Sequence, residues 1–257
     1  MKLMHTLSSQ LFSAHTQIVH AFTTRHDGVS NKPFDSNNLA FHVGDDPLDV
    51  TRNHELLAKQ IGYDRSRLVH MRQIHSDRIV IVDRAIHDFE NPPECDALIT
   101  DQPGIPLMVM TADCTPVLFF DPVKNIIAVA HAGRAGAVQG IVPKTIQKMQ
   151  KRFASKLEDI LVVLGPSIQS CCYEVGGKIA KEVTDNGFGD AVVEREARYY
   201  LEVNAIIKKQ LEAIGIKKEK LEDLDICNAC EHEKFFSYRA DRQKTGRIAG
   251  VLMLKQR

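Results

Sequence analysis

The sequence has no excess of charge of either sign and no long apolar run. Its 257 residues include 33 Lys and Arg and 33 Asp and Glu, so the formal net charge is zero at pH 7. Without a basic excess, no overall field attracts nucleic acid or an anionic membrane surface. We therefore expect neither nucleic acid nor a membrane as a partner.

The sequence also lacks the patterns that are typical of a membrane span, a secretory leader or a disulfide scaffold. The most apolar stretch, 105–120, is interrupted by Thr111, Asp113 and Pro116, which is incompatible with a bilayer-spanning segment. The N-terminal residues contain neither an apolar core nor a small-residue cleavage pattern. We therefore expect a cytoplasmic protein, in which the six cysteines are thiols or metal ligands.

Short apolar runs in the middle of the chain, with helical periodicities around them, predict an α+β or mixed α/β protein made of one domain, 1–257. No G-x-G-x-x-G follows a strand and no P-loop is present, so dinucleotide and P-loop nucleotide sites lack support. The expected strands are 18–23, 68–71, 78–83, 97–100, 107–111, 117–121, 126–131, 160–164, 225–227 and 248–254. The expected helices are 46–62, 136–153, 175–183 and 203–214.

Reactive side chains occur in three segments where a predicted strand begins or ends. His75 lies in 73–77, Cys114 in 111–116 and His131 in 131–136. Strand ends and the loops beside them are where a rigid scaffold presents catalytic groups. Two imidazoles and a thiolate suit zinc, and three protein ligands leave one position open for water or substrate. Taken singly, each residue is more often an ordinary surface or core residue.

The motifs together carry more information than the single residues. Their order along the chain resembles that of the YfiH/YlmD family, whose members have been called laccase-domain or polyphenol oxidase proteins. The resemblance covers nearly the whole chain. It rests on TTR (23–25), GVS (28–30), PFDSNNL (33–39), QIHSD (73–77), TADCTP (111–116), HAGRAG (131–136), GPSI (165–168), CYEV (172–175) and FFSYR (235–239).

The resemblance implies a four-layer α/β/β/α sandwich with mixed sheets and one metal ion bound by His75, Cys114 and His131. The expected metal is zinc, with copper as the alternative that the older oxidase name suggests. The implied activity is that of a purine nucleoside phosphorylase, with adenosine deaminase and methylthioadenosine phosphorylase as side activities. Its substrates would be purine nucleosides and phosphate, and the enzyme would be a monomer or a homodimer.

Further residues are candidates for the same site. Asp113 is a candidate proton shuttle, although an aspartate that caps the local backbone is an equal interpretation. Relatives usually have Trp after the glycine of the third segment and then a basic residue, where this chain has Arg134 and Ala135. Arg134 is therefore a candidate phosphate ligand. The other candidate substrate contacts are Arg25, Ser36, Asn38 and Gln73, for which a solvated polar loop is the alternative.

Two other functions and one other site stay open. Cys114 as nucleophile with His131 as its base would make a metal-free thiol hydrolase, and a non-catalytic metal- or nucleoside-binding module is the third hypothesis. Cys227 and Cys230 form a C-x-x-C pair, typical of half a metal site or a redox pair. Because the other candidates, Cys171 and Cys172, are adjacent and poorly spaced, small buried residues are the favoured interpretation of this pair.

Overall fold

Most strands in the centre of the chain are buried on both faces, which requires layers on either side of each sheet. The computed structural model describes residues 4–83 and 91–256. The strands are β1 (Thr6–Leu7), β2 (Ile18–Thr23), β3 (Ile79–Ile81), β4 (Ala97–Thr100), β5 (Leu107–Thr111), β6 (Thr115–Asp121), β7 (Ile126–Ala132), β8 (Leu161–Leu164), β9 (Glu174–Val175), β10 (Val192–Arg195), β11 (Arg198–Leu201), β12 (Leu221–Asp223) and β13 (Ile248–Leu254). The α-helices are α1 (Gln10–Ser13), α2 (Pro47–Ile61), α3 (Arg134–Gln139), α4 (Ile141–Phe153), α5 (Gly177–Val183) and α6 (Val203–Ala213).

The strands form two larger sheets and one small one. A six-stranded mixed sheet has the order β12-β8-β6-β7-β4-β3, with parallel pairs only at its two edges. A four-stranded antiparallel sheet has the order β1-β2-β13-β5. The small antiparallel sheet has the order β10-β11-β9.

The alternating direction of successive side chains along the strands explains how both faces of each large sheet are buried. In β6, Leu118 and Phe120 pack into the core between the sheets, whereas Phe119 belongs to the core beneath α4 and α6. In β5, Val109 faces the other sheet, and Met110 packs in the core that includes residues of α2. Successive strand residues point to opposite faces, so one strand serves two cores. The layers are thus α/β/β/α, which confirms the predicted fold class.

The end signals of α2 act as the sequence predicts. The Asp46 side chain accepts a hydrogen bond of 2.8 Å from the backbone N–H of Leu48, and Gly62 ends the helix at a φ of 84°. The expected helix 136–153 is instead two helices, because Gly140 adopts a left-handed conformation (φ 83°) between α3 and α4. The apolar periodicity continues across this break, so periodicity alone did not reveal it.

Three differences concern short strands. The strand expected at 68–71 is absent, and within that range only Val69 forms an isolated β-bridge, to Leu107. The strand expected at 225–227 occurs earlier in the chain, as β12. The β10–β11 hairpin was not predicted, because its turn residues Glu196 and Ala197 (φ 51° and 58°) lack the Gly or Asn that usually marks such a turn. No helix among the described residues is long and apolar enough to cross a membrane.

The core between the two large sheets yields a prediction for stability. Phe120 is fully buried there and meets Phe12 edge-on, with the ring centroids 6.1 Å apart. We expect Phe120→Ala to lower the free energy of unfolding by about 3–5 kcal/mol, since it removes buried apolar area and leaves a cavity. Urea denaturation measures this, with Val123→Ala at an exposed position of the following turn as the control. A loss below about 1 kcal/mol would contradict this packing.

Candidate functional site

Strand register brings the segments that contain His75, Cys114 and His131 to the same end of the strands in the six-stranded sheet. Cys114 immediately precedes β6, and β6 pairs with β7 so that Pro116 lies opposite His131. On its other side β7 pairs with β4, with Ala97 opposite Ala130. His75 precedes β3, which runs parallel to β4. Residues distant in sequence therefore meet because their strands are neighbours.

The geometry of His75, Cys114 and His131 fits a tetrahedral metal ion. Their ligand atoms all lie within 4.8 Å of one another, and Cys114 Sγ is 3.9 Å from His75 Nε2. A tetrahedral zinc ion, with Zn–S of about 2.3 Å and Zn–N of about 2.0–2.1 Å, separates sulfur from nitrogen by about 3.6 Å. The three side chains thus need little movement to share one ion.

Gly133 provides the space in which these ligands meet. A Cβ atom at this position would lie 3.0 Å from Cys114 Sγ and 3.0 Å from His75 Cδ2. Any side chain here would displace both ligands. Close approach of the ligand atoms, rather than a turn, therefore explains the glycine at position 133.

The carboxylate of Asp96, which is fully buried at the start of β4, orients two of the three candidate ligands. One oxygen accepts from His131 Nδ1 (2.8 Å) and from the backbone N–H of His75 (3.0 Å). The other accepts from both the N–H (2.7 Å) and the hydroxyl (2.8 Å) of Ser76. With Nδ1 engaged, His131 turns Nε2 toward Cys114, an arrangement common among metal-binding histidines.

Asp96 and its neighbours also set the protonation of the site. Burial opposes ionisation of Asp96, but the hydrogen bonds from His131 and Ser76 outweigh it and hold the pKa of this carboxyl below its usual range. Burial likewise opposes ionisation of Cys114, yet the charge and hydrogen bond of His131 lower its pKa to about 6. Against the effect of burial, the Cys114 thiolate and Asp96 raise the pKa of His131 to about 9. The two shifts describe a thiolate–imidazolium pair at neutral pH, and a metal ion that binds both side chains would displace the proton of His131.

The three side chains open onto a cavity of about 1050 Å³, large enough for a nucleoside and an anion. Its wall carries both apolar or aromatic side chains and cationic ones. Residues of both kinds include Phe41, Met71, Met110, Ile168, Tyr173, Tyr238, Arg65, Arg72, Arg134, Arg239 and Arg247.

Hydrogen bonds and ion pairs within the protein restrain the arginine side chains of the cavity. Arg134 pairs with Glu182 at 2.8 Å, and Arg239 donates twice to the backbone carbonyl of Glu174, at 3.0 Å each. Burial lowers the pKa of Arg247, while the negative charges of Cys114 and Asp113 act in the opposite direction. Arg247 therefore lies within electrostatic range of Cys114 and Asp113.

Two of the predicted site residues line the cavity but also serve the local backbone. Gln73 bonds the backbone of Met110 through both ends of its amide, at 2.7 and 3.0 Å. Asp113 accepts from the Ser237 hydroxyl (2.6 Å) and from the backbone N–H of Arg239 (2.7 Å). Burial raises the pKa of Asp113 despite these bonds. The capping interpretation of Asp113 accounts for both contacts, and its role as a proton shuttle remains a prediction.

The other predicted substrate contacts lie outside the cavity lining. Arg25 donates to the backbone carbonyls of Asp35 (3.0 Å) and His232 (2.7 Å). Asn38 is buried and bonds the backbone of Ala40 in both directions. The Ser36 hydroxyl accepts from the N–H of Gly28 and donates to the Arg25 carbonyl. These bonds give all three a role within the protein, and their contact with substrate stays a prediction.

Comparisons with known proteins agree with this architecture. The family described as multi-copper polyphenol oxidoreductase laccase matches residues 19–255. A purine nucleoside phosphorylase of Corynebacterium glutamicum is 39% identical over 233 residues, covering 91% of this chain and 93% of the relative. Purine nucleoside phosphorylase YlmD of Bacillus subtilis is 30% identical over 249 residues, covering 93% and 90%.

Solved structures give the same result. The hypothetical protein YfiH of Bacillus licheniformis superposes with a TM-score of 0.92 at 32% identity, covering 99% of this chain and 97% of that one. YlmD from Geobacillus stearothermophilus has a TM-score of 0.88 at 29% identity, covering 99% of each chain. The chain belongs to the YfiH/YlmD family.

Within this YfiH/YlmD protein, sequence reasoning missed Asp96 and most of the cavity arginines. An acidic residue directly before the fully buried β4 was the available signal for Asp96. Arg239 and Tyr238 match the family motif, but the sequence did not indicate that they would line the cavity. Arg65, Arg72 and Arg247 carried no local signal, because isolated arginines are usually solvated.

Asp96 yields a prediction for the metal-binding site. Asp96→Asn replaces one acceptor oxygen with an NH₂ donor and removes the negative charge. Either the acceptor shared by His131 and the His75 N–H or the acceptor of Ser76 is therefore lost. We expect the affinity of the site for zinc to fall about 10- to 100-fold, the usual effect of losing such a partner. Asp101→Asn, at the exposed end of the same strand, is the control.

Zinc affinity is measured by chelator competition on protein whose folding has been checked by circular dichroism. Unchanged affinity in folded Asp96→Asn protein would mean that the carboxylate does not position these ligands.

Proposed function

We propose that this protein is a zinc-dependent purine nucleoside phosphorylase in which His75, Cys114 and His131 hold the metal. The observation that carries the proposal is the convergence of these ligands in the lining of a cavity of about 1050 Å³ that also carries cationic and aromatic side chains. The names of its relatives support the same activity. Adenosine deaminase and methylthioadenosine phosphorylase activities, and a cytoplasmic location, are part of the same proposal.

Phosphate would bind among the arginines near the ligands. Arg134 follows Gly133 directly, and the charge of Cys114 acts on Arg247. Arginine suits phosphate because its planar group donates paired hydrogen bonds and stays charged. The ion pair with Glu182 fixes the Arg134 side chain at the cavity wall before an anion arrives.

The purine would bind against the apolar part of the wall. Ile168, Tyr173 and Tyr238 offer flat or branched apolar surfaces to a heteroaromatic base. Arg239 lies over the Tyr173 ring at 5.4 Å, and Arg247 over the Tyr238 ring at 5.8 Å. Each tyrosine is thus held beside a cation, which couples the base-binding wall to the phosphate-binding groups.

In the reaction, an oxygen of phosphate forms a bond to C1′ of the ribose as the bond from C1′ to the purine nitrogen breaks, and the base leaves with the proton that the phosphate gives up. Zinc, when bound, would supply a Lewis acid with an open position for an oxygen ligand. Asp96 keeps the Nε2 of His131 aimed into the site, and the arginines orient and neutralise phosphate.

The family's laccase description fits the ligand set less well. A multi-copper oxidase needs several copper ions and many more histidine ligands. Among residues 4–83 and 91–256, only two groups of three or more ligand-type side chains converge, and only one of them contains histidine. That donor set supports one catalytic metal ion rather than a multi-copper centre.

A thiol hydrolase is the second candidate, and a specific arrangement favours it. The site contains a nucleophile (Cys114), a base (His131) and a carboxylate that orients the base (Asp96). The pKa of the Cys114 thiol is lowered to about 6. His75 distinguishes the candidates, since a Cys–His pair does not need a second imidazole beside the sulfur. Metal removal separates the two functions experimentally.

We expect zinc to protect Cys114 and to be required for activity. Holoprotein should resist iodoacetamide at Cys114, as judged by peptide mass mapping, because a zinc-bound thiolate is shielded from the reagent. Removing zinc should expose Cys114 and abolish phosphate-dependent adenosine cleavage together. His75→Ala, Cys114→Ala and His131→Ala should each lose one equivalent of zinc, while the exposed control His26→Ala retains it.

Rapid alkylation of Cys114 in metal-replete protein, with loss of activity that chelation does not reproduce, would establish the thiol hydrolase instead. Zinc protection without turnover of any purine nucleoside would leave a binding module. Ribose 1-phosphate with adenine, and inosine with ammonia, are followed separately to distinguish phosphorolysis from deamination.

Arg134 tests the phosphate-binding part of the proposal. Arg134→Ala should raise the KM for phosphate about 10- to 150-fold, equivalent to about 1.5–3 kcal/mol for one charge-assisted contact. The KM for the nucleoside should change much less. Arg152→Ala, an exposed arginine in α4, is the control for general loss of charge. An unchanged phosphate KM would remove Arg134 from the site.

A further inference from the structure

Four cysteines converge at a second place, outside the three-ligand site. Cys171 and Cys172 lie in the turn after Gln169, and Cys227 and Cys230 lie in the turn that follows β12. Their Sγ atoms all lie within 4.8 Å of one another. Cys230 Sγ is 3.3 Å from the sulfurs of both Cys171 and Cys172. The adjacent pair, which the sequence indicated to be poorly spaced, thus directs both sulfurs at the same point.

We propose that these four cysteines bind a second, structural zinc ion. Four sulfurs at about 2.3 Å from a tetrahedral zinc ion lie about 3.8 Å apart, within the range spanned by this cluster. A disulfide bond requires about 2.05 Å between sulfurs, and all four cysteines are free in this structure. Four thiolate ligands close the coordination shell, as in structural rather than catalytic zinc sites.

Backbone N–H groups of two loops lie beside one sulfur of the cluster. Those of Cys230 and Gln169 lie near Cys227. Such donors stabilise sulfur in its charged, metal-binding form. The two amides come from different loops, so the surroundings of the sulfur depend on both loops being in place.

The two loops are joined by the backbone before any ion binds. The N–H of Ser167 donates to the carbonyl of Ile226 at 3.1 Å, and the N–H of Asn228 donates to the carbonyl of Ser167 at 3.1 Å. This bridge holds Cys227 opposite Ser167. A site assembled in advance binds a metal with less ordering of the chain.

The position of the cluster explains what the ion would do. Ile168 and Tyr173 flank the first cysteine pair and line the large cavity, and Tyr238 and Arg239 follow the second pair and line it too. A zinc ion that joins the loops would therefore fix one wall of the cavity from behind. This inference concerns structure and does not depend on the nucleoside chemistry proposed above.

Zinc content measured by elemental analysis tests the site. Protein purified under reducing conditions without added metal should contain about two zinc ions per chain, and Cys227→Ser/Cys230→Ser should contain one less. Cys114→Ser should also lose one, but from the other site, and the combined variant should lose both. Cys95→Ala, whose sulfur belongs to neither group, is the control. Full zinc retention in Cys227→Ser/Cys230→Ser protein would overturn the proposal.

Two further measurements do not require the double variant to fold. In wild-type protein, Cys171 and Cys230 are exposed, yet zinc should make them react slowly with a disulfide reagent, with zinc released as they react. In Cys114→Ser protein loaded with cobalt(II), the thiolate-to-metal absorption should be strong, as expected of four sulfur ligands. Fast reaction without zinc release, reactivity that appears only after a reductant is added, or weak cobalt absorption would each contradict a four-thiolate site.

Discussion

The arrangement of the candidate site depends on the buried carboxylate of Asp96 and its hydrogen bonds. An ionised carboxylate without water is costly unless hydrogen bonds replace its hydration. Here the replacements are the imidazole of His131 and the backbone and hydroxyl groups of the loop that carries His75. The groups that stabilise the charge are therefore the same groups that must be positioned. Loss of the carboxylate would affect folding of the loop and metal binding together.

The layered fold provides the rigidity that such an arrangement needs. β6, β7 and β4 are buried on both faces, so their register cannot shift without exposing apolar side chains. The sheet therefore holds Cys114, His131 and Asp96 at constant separations. His131 lies within β7, and Cys114 and Asp96 directly precede β6 and β4. His75 lies farther from its strand, and Asp96 bonds the backbone of the loop that carries it. Rigid strands and one tethered loop together give a site that is organised before substrate binds.

The two loops that carry the four cysteines also contribute residues to the cavity. The segment after β8 and the segment after β12 contribute Ile168, Tyr173, Tyr238 and Arg239 to the cavity lining. The cysteines of the same segments meet one another and are not among the lining residues. Asp113 joins these loops to the candidate metal ligands, since it precedes Cys114 and bonds Ser237 and Arg239. A change at the cysteine cluster can therefore reach the cavity wall through a short chain of contacts.

The sequence by itself determined the elements with strong local signals. The strands β2 and β13, the helix α2 with its Asp46 and Gly62 end signals, and the three chemical segments follow from short-range pattern and motif. The hairpin at 192–201 and the break at Gly140 did not, because a turn without glycine and a glycine within a continuous periodicity give no distinct local signal. Boundaries of weak strands such as 68–71 depend on partners elsewhere in the chain.

Only the tertiary structure decided which residues act together. Asp96, Arg247 and the pairing of Cys171 and Cys172 with Cys227 and Cys230 result from contacts between segments far apart in sequence. A buried charge or a sulfur cluster is defined by what surrounds it, and strand register and loop packing determine those surroundings. The residue types were visible from the start, but their burial, orientation and partners are properties of the fold.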